Sequence, residues 1–147
     1  MKLAIGIAFT VLLTTAGYAQ ALDYASVADN SAILYDAPSI KAKKIFVASR
    51  YWPLEQVVSL DAWVKVRDSS GSLSWIEKRA LSNKRFVVVT ATLAAVRQSP
   101  DDSAAVLMQA RQQVALEWLE GTGIGWLKVR HLDGITGYVK TTDVWGD

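Results

Sequence analysis

Hydrophobic and polar residues alternate strictly in two short stretches that are nearly copies of each other. In 63–67, Trp-Val-Lys-Val-Arg, and in 126–130, Trp-Leu-Lys-Val-Arg, the second and fourth positions are aliphatic and the others are aromatic or charged. A period of two residues is typical of a β-strand with one buried face. The pattern therefore predicts two half-buried strands. The residues predicted to face the core are Val64, Val66, Leu127 and Val129.

A glycine follows each alternating stretch at the same distance and predicts a hairpin turn. Gly71 ends the turn sequence Ser-Ser-Gly, and Gly134 ends Asp-Gly. Glycine and aspartate tolerate the positive φ that tight turns need. Beyond the turns, Trp75-Ile76 and Tyr138-Val139 hold matching positions. Each half of the chain is thus predicted to contain a hairpin.

The similarity extends over most of both halves, which predicts an internal repeat of about sixty residues. Pro38 and Pro100 are 62 positions apart, and Trp63 and Trp126 are 63 apart. Three further stretches of the first copy correspond to stretches of the second: 32–38 to 94–100, 45–48 to 106–110, and 53–60 to 113–120. The second copy carries extra residues in its Gly-rich segment 121–125.

The spacing of these stretches predicts an all-β fold. Residues 107–120 taken alone could form a helix, but the matching stretch of the first copy is interrupted by Pro53 and rich in valine, which favours strands. Short strands with turns about ten residues apart are typical of a small barrel or sandwich. No Gly/Ser/Pro-rich linker separates the copies, so we expect them to pack together.

The first residues are typical of an export signal. Lys2 precedes an apolar run that is too short to span a bilayer, and Ala19-Gln20-Ala21 fits the small-residue cleavage pattern. Cleavage after Ala19 is the alternative. We therefore expect a signal peptide over 1–21, a first domain over 22–84 and a second over 85–147. The mature chain is expected to be periplasmic, or secreted, without stable membrane insertion.

Composition narrows the classes of function. The chain has a formal net charge of +2, which falls to +1 without Lys2, and this near-neutral value gives no reason to expect a nucleic-acid partner. There is no cysteine, so stability must come from packing and not from disulfides, and no cysteine is available for lipid attachment.

Catalytic chemistry is not expected. His131 is the only histidine, and it holds the position of Asp68 in the other copy, at a strand end before a turn. A solvated turn residue is therefore expected there and not a base. The lack of cysteine and of further histidine argues against a metal site, and no cofactor is expected. Asp101-Asp102 is interpreted as loop solvation and 121–125 as a hairpin loop.

These motifs resemble bacterial SH3 domains. The second copy carries most of the pattern, in VRQSP (96–100), GWLKVR (125–130), DG (133–134) and GYV (137–139). The first copy departs from it: Ala62 replaces the Gly before the Trp, Ser70 replaces the Asp of the turn, and Ser74 replaces the Gly before Trp75. The resemblance implies two tandem small SH3-like β-barrels and, for exported proteins, a binding or targeting role. Its usual ligands would be cell-wall peptides or partner proteins.

Aromatic residues on polar strand faces or in loops are the candidate ligand contacts, because they offer apolar area at low entropic cost. The candidates are Tyr51, Trp52, Trp63, Trp75, Trp126 and Tyr138. Each ring could instead pack on a neighbouring cation or between the two copies. Tyr51-Trp52 is expected in an exposed loop without a counterpart in the second copy, where 111–113 reads Arg-Gln-Gln.

The sequence is compatible with two functions. In the first, the chain is an exported, non-enzymatic binding protein whose partner is peptidoglycan or a cell-envelope protein. In the second, it is an adaptor or subunit of an envelope complex, or an inhibitor of a cell-wall hydrolase, with no free cell-wall ligand.

Overall fold

The computed structural model describes residues 22–147, in which every strand belongs to one of two seven-stranded sheets. The first unit contains β1 (Tyr24–Val27), β2 (Ser31–Tyr35), β3 (Lys44–Ser49), β4 (Pro53–Ser59), β5 (Trp63–Arg67), β6 (Leu73–Glu77) and β7 (Leu81–Ser82). The second contains β8 (Phe86–Val89), β9 (Leu93–Arg97), β10 (Val106–Arg111), β11 (Ala115–Gly121), β12 (Trp126–Arg130), β13 (Thr136–Lys140) and β14 (Val144–Trp145). Single 3-10 turns, Lys78–Ala80 and Thr141–Asp143, precede β7 and β14. The expected signal peptide lies outside the described residues.

Both sheets have the same antiparallel topology. The strand order is β3-β2-β6-β5-β4-β1-β7 in the first and β10-β9-β13-β12-β11-β8-β14 in the second. The prediction of an all-β fold built from two copies is confirmed, and 107–120 forms strands and not a helix. Across residues 22–147 no helix is both long enough and apolar enough to cross a membrane.

The register of the two copies differs from the sequence prediction in one place. The strand that starts at Pro53 matches the one that starts at Ala115, so pairing 53–60 with 113–120 was wrong by two residues. A shared turn before these strands sets the true register, because Tyr51 (φ 69°) and Gln113 (φ 70°) both adopt the left-handed conformation. The turn between β11 and β12 is longer than its counterpart by a single residue.

Each unit has its own hydrophobic core. Val64, Val66, Leu127 and Val129 are buried, as the alternation predicted. Their strand partners complete the two clusters, with Leu34, Leu54 and Ile76 in the first and Val96, Leu116 and Val139 in the second. Both cores are aliphatic, so the barrels are stabilised by burial of apolar area.

The two units are packed together, as expected. All four residues of β8 are buried: Val87 and Val89 belong to the core of the second unit, whereas the ring of Phe86 stacks on Tyr51 of the first unit with centroids 4.5 Å apart. Arg50 lies over the Tyr51 ring and Lys84 over the Phe86 ring. The contact therefore joins the units through stacked aromatic and cationic groups.

Arg85 forms a second contact between the units. Its guanidinium lies 4.4 Å from the ring of Trp118 and 5.6 Å from that of Tyr24, and Nη2 donates a hydrogen bond of 2.9 Å to the carbonyl of Gly146. Tyr24 also meets Trp145 edge-on at 5.2 Å. Strands from both ends of the chain thus converge on one arginine.

An ion pair recurs in both sheets. Arg67 pairs with the buried Glu55 at 2.9 Å, and Arg130 pairs with Glu117 at 2.9 Å. Glu117 also accepts Lys84 from the segment between the units, at 3.2 Å. The repeated pair fixes β4 against β5 and β11 against β12, and in the second unit it also holds the connecting segment.

Candidate functional site

A groove lies at the junction of the two units and has a cavity volume of about 480 Å³. We call it the interunit groove. Its lining from the first unit comprises Leu34, Ile45, Phe46, Trp52, Asp68–Ser70 and Ser72–Ser74. Its lining from the second unit comprises Val88–Thr90, Gln112 and Gln113. Residues from both units form its walls, so the packing of the barrels creates the site.

Trp52 is positioned by the turn before β4. The amide of Tyr51 donates to the carbonyl of Val27 at 2.9 Å, and the amide of Val27 donates to the carbonyl of Trp52 at 3.1 Å. These bonds hold Tyr51 in its left-handed conformation and Trp52 against β1. The indole is half-buried, packs on the core of the first unit and lines the groove.

The hairpin turn between β5 and β6 forms a hydroxyl-bearing rim. Asp68 Oδ1 accepts hydrogen bonds from the amides of Ser70 and Ser72, at 2.8 and 3.1 Å, and Gly71 takes the positive φ of 84° that closes the turn. The hydroxyls of Ser70 and Ser72 lie 2.8 Å apart. The carboxylate therefore orders a row of serines along the groove.

The second unit contributes an amide-bearing rim. Gln112 Nε2 donates to the carbonyl of Thr90 at 3.1 Å, which fixes the Gln112 side chain. Gln113 occupies the left-handed turn position that Tyr51 holds in the first unit. The same left-handed turn therefore places the indole of Trp52 in the groove from the first unit and the side-chain amides of Gln112 and Gln113 from the second.

The groove combines apolar surface with neutral hydrogen-bonding groups. Ile45, Phe46 and Leu73 are exposed apolar residues, and Asp68 is the one charged residue in the lining. Such a surface suits a ligand with alternating apolar and polar groups, because the apolar parts gain from burial and the polar parts find partners.

The second unit is closely packed at the position that matches Ser74. A Cβ at Gly137 would lie 2.6 Å from the carbonyl oxygen of Arg97, 2.7 Å from Val96 Cγ1 and 3.2 Å from Leu107 Cδ1, so these groups close over the glycine. The first unit has Ser74 at this position. The counterparts of Val96 and Leu107 are Leu34 and Ile45, and both line the interunit groove.

Of the six aromatic candidates, the structure places Trp52 in the groove and the other five elsewhere. Tyr51 is half-buried and stacked on Phe86, so the exposed loop expected for Tyr51-Trp52 is not found. Trp63 meets the buried Tyr35 edge-on, and Trp75 lies beneath Lys65. Tyr138 is half-buried on β13.

Trp126 corrects the prediction from strand alternation. It was expected on the solvated face, but only 9% of its surface is exposed. Its strand partner Lys140 extends over the ring at 5.6 Å and pairs with Asp102 at 2.6 Å. A lysine stem can bury an aromatic ring on an otherwise polar face.

Sequence reasoning missed most of the groove. Ile45 and Phe46 were matched to the second copy but not proposed as ligand contacts, and Gln112 and Gln113 were noted only as residues that do not repeat Tyr51-Trp52. A usable signal was present: Ser70 and Ser74, which depart from the pattern of the second copy, both line the groove.

No constellation typical of metal binding occurs within residues 22–147. His131 is a turn residue, as expected, with Nδ1 2.8 Å from Asp133 Oδ1. A backbone hydrogen bond from Ile135 and the contact with His131 hold the pKa of Asp133 below its ordinary value. His131 and Asp133 therefore interact with each other and with the backbone of their own hairpin turn.

Comparison with solved structures finds remote likeness. NlpC1 from Trichomonas vaginalis is 13% identical with a TM-score of 0.41, and the match covers 95% of this chain and 51% of that one. NlpC2 from the same organism is also 13% identical, with a TM-score of 0.40, and the match covers 87% of this chain and 49% of that one. An NlpC/P60 family protein from Bacillus cereus is 16% identical with a TM-score of 0.39, and the match covers 83% of this chain and 55% of that one. The chain therefore spans about half the length of these proteins. No curated protein sequence matches it.

Family models match both units. Residues 28–83 match one model described as a bacterial SH3 domain, and residues 92–144 match a second model with the same description. Together the matches span about three quarters of the chain. The matches cover β2 to β7 of the first unit and β9 to the start of β14 of the second, which is most of each sheet. The chain belongs to the bacterial SH3 domain family and carries two such domains in tandem.

Proposed function

We propose that this chain is an exported, non-enzymatic binding module of the cell envelope, and that the interunit groove contacts its ligand. The ligand is peptidoglycan or a cell-envelope protein. Membership in the bacterial SH3 family supports a cell-wall-related binding role.

One observation carries the proposal of the site. The groove places the half-buried Trp52, a row of serine hydroxyls and two glutamine side chains around one opening. An aromatic anchor surrounded by neutral polar groups is a common composition for a recognition site. Because both barrels build it, the groove also gives a reason for the fixed packing of two binding domains.

Export is part of the proposal and rests on the sequence alone. The apolar run after Lys2 and the small residues at 19–21 support a signal peptide, and hence a periplasmic or secreted mature chain. The non-enzymatic role is supported by the matches of both units to bacterial SH3 domains.

Co-sedimentation with purified peptidoglycan sacculi tests the function. If peptidoglycan is the ligand, the chain from Leu22 onward, which holds both units, will pellet with sacculi at low and at high salt, because the groove is nearly uncharged. Trp52→Phe is expected to weaken binding to sacculi, because it removes part of the aromatic anchor. Trp126→Phe, in the same fold but beneath Lys140, is the matched control.

If the chain stays in the supernatant at both salt concentrations, peptidoglycan is excluded as the ligand and a cell-envelope protein is left. Loss of binding in Trp126→Phe, with Trp52→Phe unaffected, would contradict the groove as the site. Circular dichroism and thermal melting of each variant separate loss of binding from loss of folding.

A further inference from the structure

We infer that the interunit groove receives an extended segment of a partner protein, which adds as a strand to the edge of β3. The inference rests on the proposed function and names the ligand class and the mode of binding. An exposed sheet edge pairs with an extended peptide through main-chain hydrogen bonds, while neighbouring pockets select its side chains.

The first support is the position of β3 at the end of its sheet. β3 pairs with β2, and no other strand of the described chain pairs with it. The amide of Arg50 donates to the carbonyl of Asn30, and Ser31 is opposite Ser49. In an antiparallel pair the residues alternate, so Val47 directs both its N–H and its C=O group away from β2. Ser49 directs its N–H the same way, while its carbonyl accepts the amide of Trp52 at 3.1 Å.

The second support is the apolar character of this edge. Ile45, Phe46 and Val47 are 45%, 53% and 58% exposed. Natural edge strands are usually protected by charge, proline or a covering segment, because an apolar edge invites pairing. On β3 the protecting charge is confined to its first residue, Lys44.

The third support is continuity between the edge and the contact of the two domains. Ile45 and Phe46 of β3 line the groove together with Val88 and Val89 of β8, the strand through which the units pack. An added strand would therefore lie beside β3 while its side chains approach Trp52 and the two rims. The binding surface would extend an interface that the chain already forms.

The composition of the groove favours a protein segment over a cell-wall polymer. Unpaired N–H and C=O groups at strand spacing match another polypeptide backbone, which a glycan cannot supply. No Lys or Arg lines the groove, so a carboxylate-rich polymer would gain no charge attraction there. The expected occupant is an uncharged, extended segment with alternating apolar and hydroxyl-bearing residues.

Panning a phage-displayed library of random linear peptides against the chain from Leu22 onward tests the inference. The library is expected to yield binders that lose affinity at least about tenfold with Val47→Pro, because proline removes an outward N–H. Gln109→Pro is the matched control, since Gln109 holds the same edge position on β10 and should leave binding unchanged. Methylation of alternate backbone nitrogens of the best peptide should abolish binding, a result that does not depend on the folding of a variant.

A selection without binders, or binders indifferent to backbone methylation and to Val47→Pro, would overturn the inference. Sacculus binding that depends on Trp52 in the absence of peptide binders would leave the proposed function standing and refute strand addition alone. Competition of the selected peptides by purified muropeptides would likewise refute a protein partner.

Discussion

Glu117 takes part both in an ion pair of the second sheet and in an ion pair with the segment that connects the two units. Its carboxylate accepts Arg130 from β12 and Lys84 from the connecting segment. Burial alone would raise the pKa of Glu117, but the hydrogen bonds and positive charges of Arg130 and Lys84 outweigh burial and lower it below its ordinary value. The charged form is therefore favoured by folding.

The sign of this shift predicts acid sensitivity. A carboxyl whose pKa is lowered by folding stabilises the protein above its unfolded pKa, here about 4.5, and this contribution is lost as the pH falls through the folded pKa. Glu117→Gln should reduce the free energy of unfolding at pH 7 by about 1 kcal/mol and make it less dependent on pH below 4.5.

Urea unfolding at pH 7 and at several pH values below 4.5 measures this effect. Glu120→Gln, at an exposed position of the same strand, is the control. An unchanged acid profile in Glu117→Gln would refute the role assigned to this carboxylate.

At the residue scale, sequence reasoning succeeded where one face of a strand decides the outcome. Val64 and Leu127 were predicted correctly because alternation distinguishes the core face from the solvent face. Trp126 was not, because its burial depends on the conformation of the Lys140 side chain, which no pattern of the strand contains.

The second strands of the two hairpins show how one small residue can open or close a surface. Gly137 on β13 is covered by Val96 and Leu107, whereas Ser74 on β6 stands beside the interunit groove. The replacement of glycine by serine at this repeat position is therefore part of what distinguishes the first unit.

Exchanging these two residues should have unequal effects. Gly137→Ser is expected to lower the free energy of unfolding by about 1–3 kcal/mol, because its Cβ would press on the Arg97 carbonyl 2.6 Å away. Ser74→Gly should cost about 1 kcal/mol or less, through backbone entropy. Chemical denaturation compares the two; equal losses would contradict the account of the groove.

Repeat matching predicted the strands better than their registration. Alternation and turn residues located the β5–β6 and β12–β13 hairpins. The offset at β11 was set by the left-handed turn at Gln113, a conformation that glutamine rarely adopts and that the sequence pattern does not indicate. Tyr51 adopts the same left-handed conformation in the first unit, where an aromatic residue likewise gives no sign of the turn.

On the scale of the whole molecule, the defining feature is the fixed contact between the two barrels. The lack of a Gly/Ser/Pro-rich linker between the copies predicted that the units pack together. The residues that achieve this, Arg85 and Trp118 above all, were not predicted, because they contact partners far apart in the chain.

Arg85→Ala should weaken the coupling of the two units. It removes stacking on Trp118 and Tyr24 and the hydrogen bond to Gly146, an expected loss of about 2 kcal/mol. Differential scanning calorimetry should show one cooperative transition for the unaltered chain and a lower or divided transition for the variant. Arg79→Ala, whose side chain is exposed, is the control. Identical melting of Arg85→Ala and the unaltered chain would contradict this role.

The central claim is that the ligand binds at the groove between the units and not on either barrel alone. Site-specific photo-crosslinking in cells tests it most directly, with benzoylphenylalanine placed at Ile45 or Gln113, which line the groove from the two units, and at Tyr138 as the control. The same adduct is predicted from Ile45 and Gln113 and none from Tyr138. An adduct from Tyr138, with none from Ile45 or Gln113, would contradict the claim.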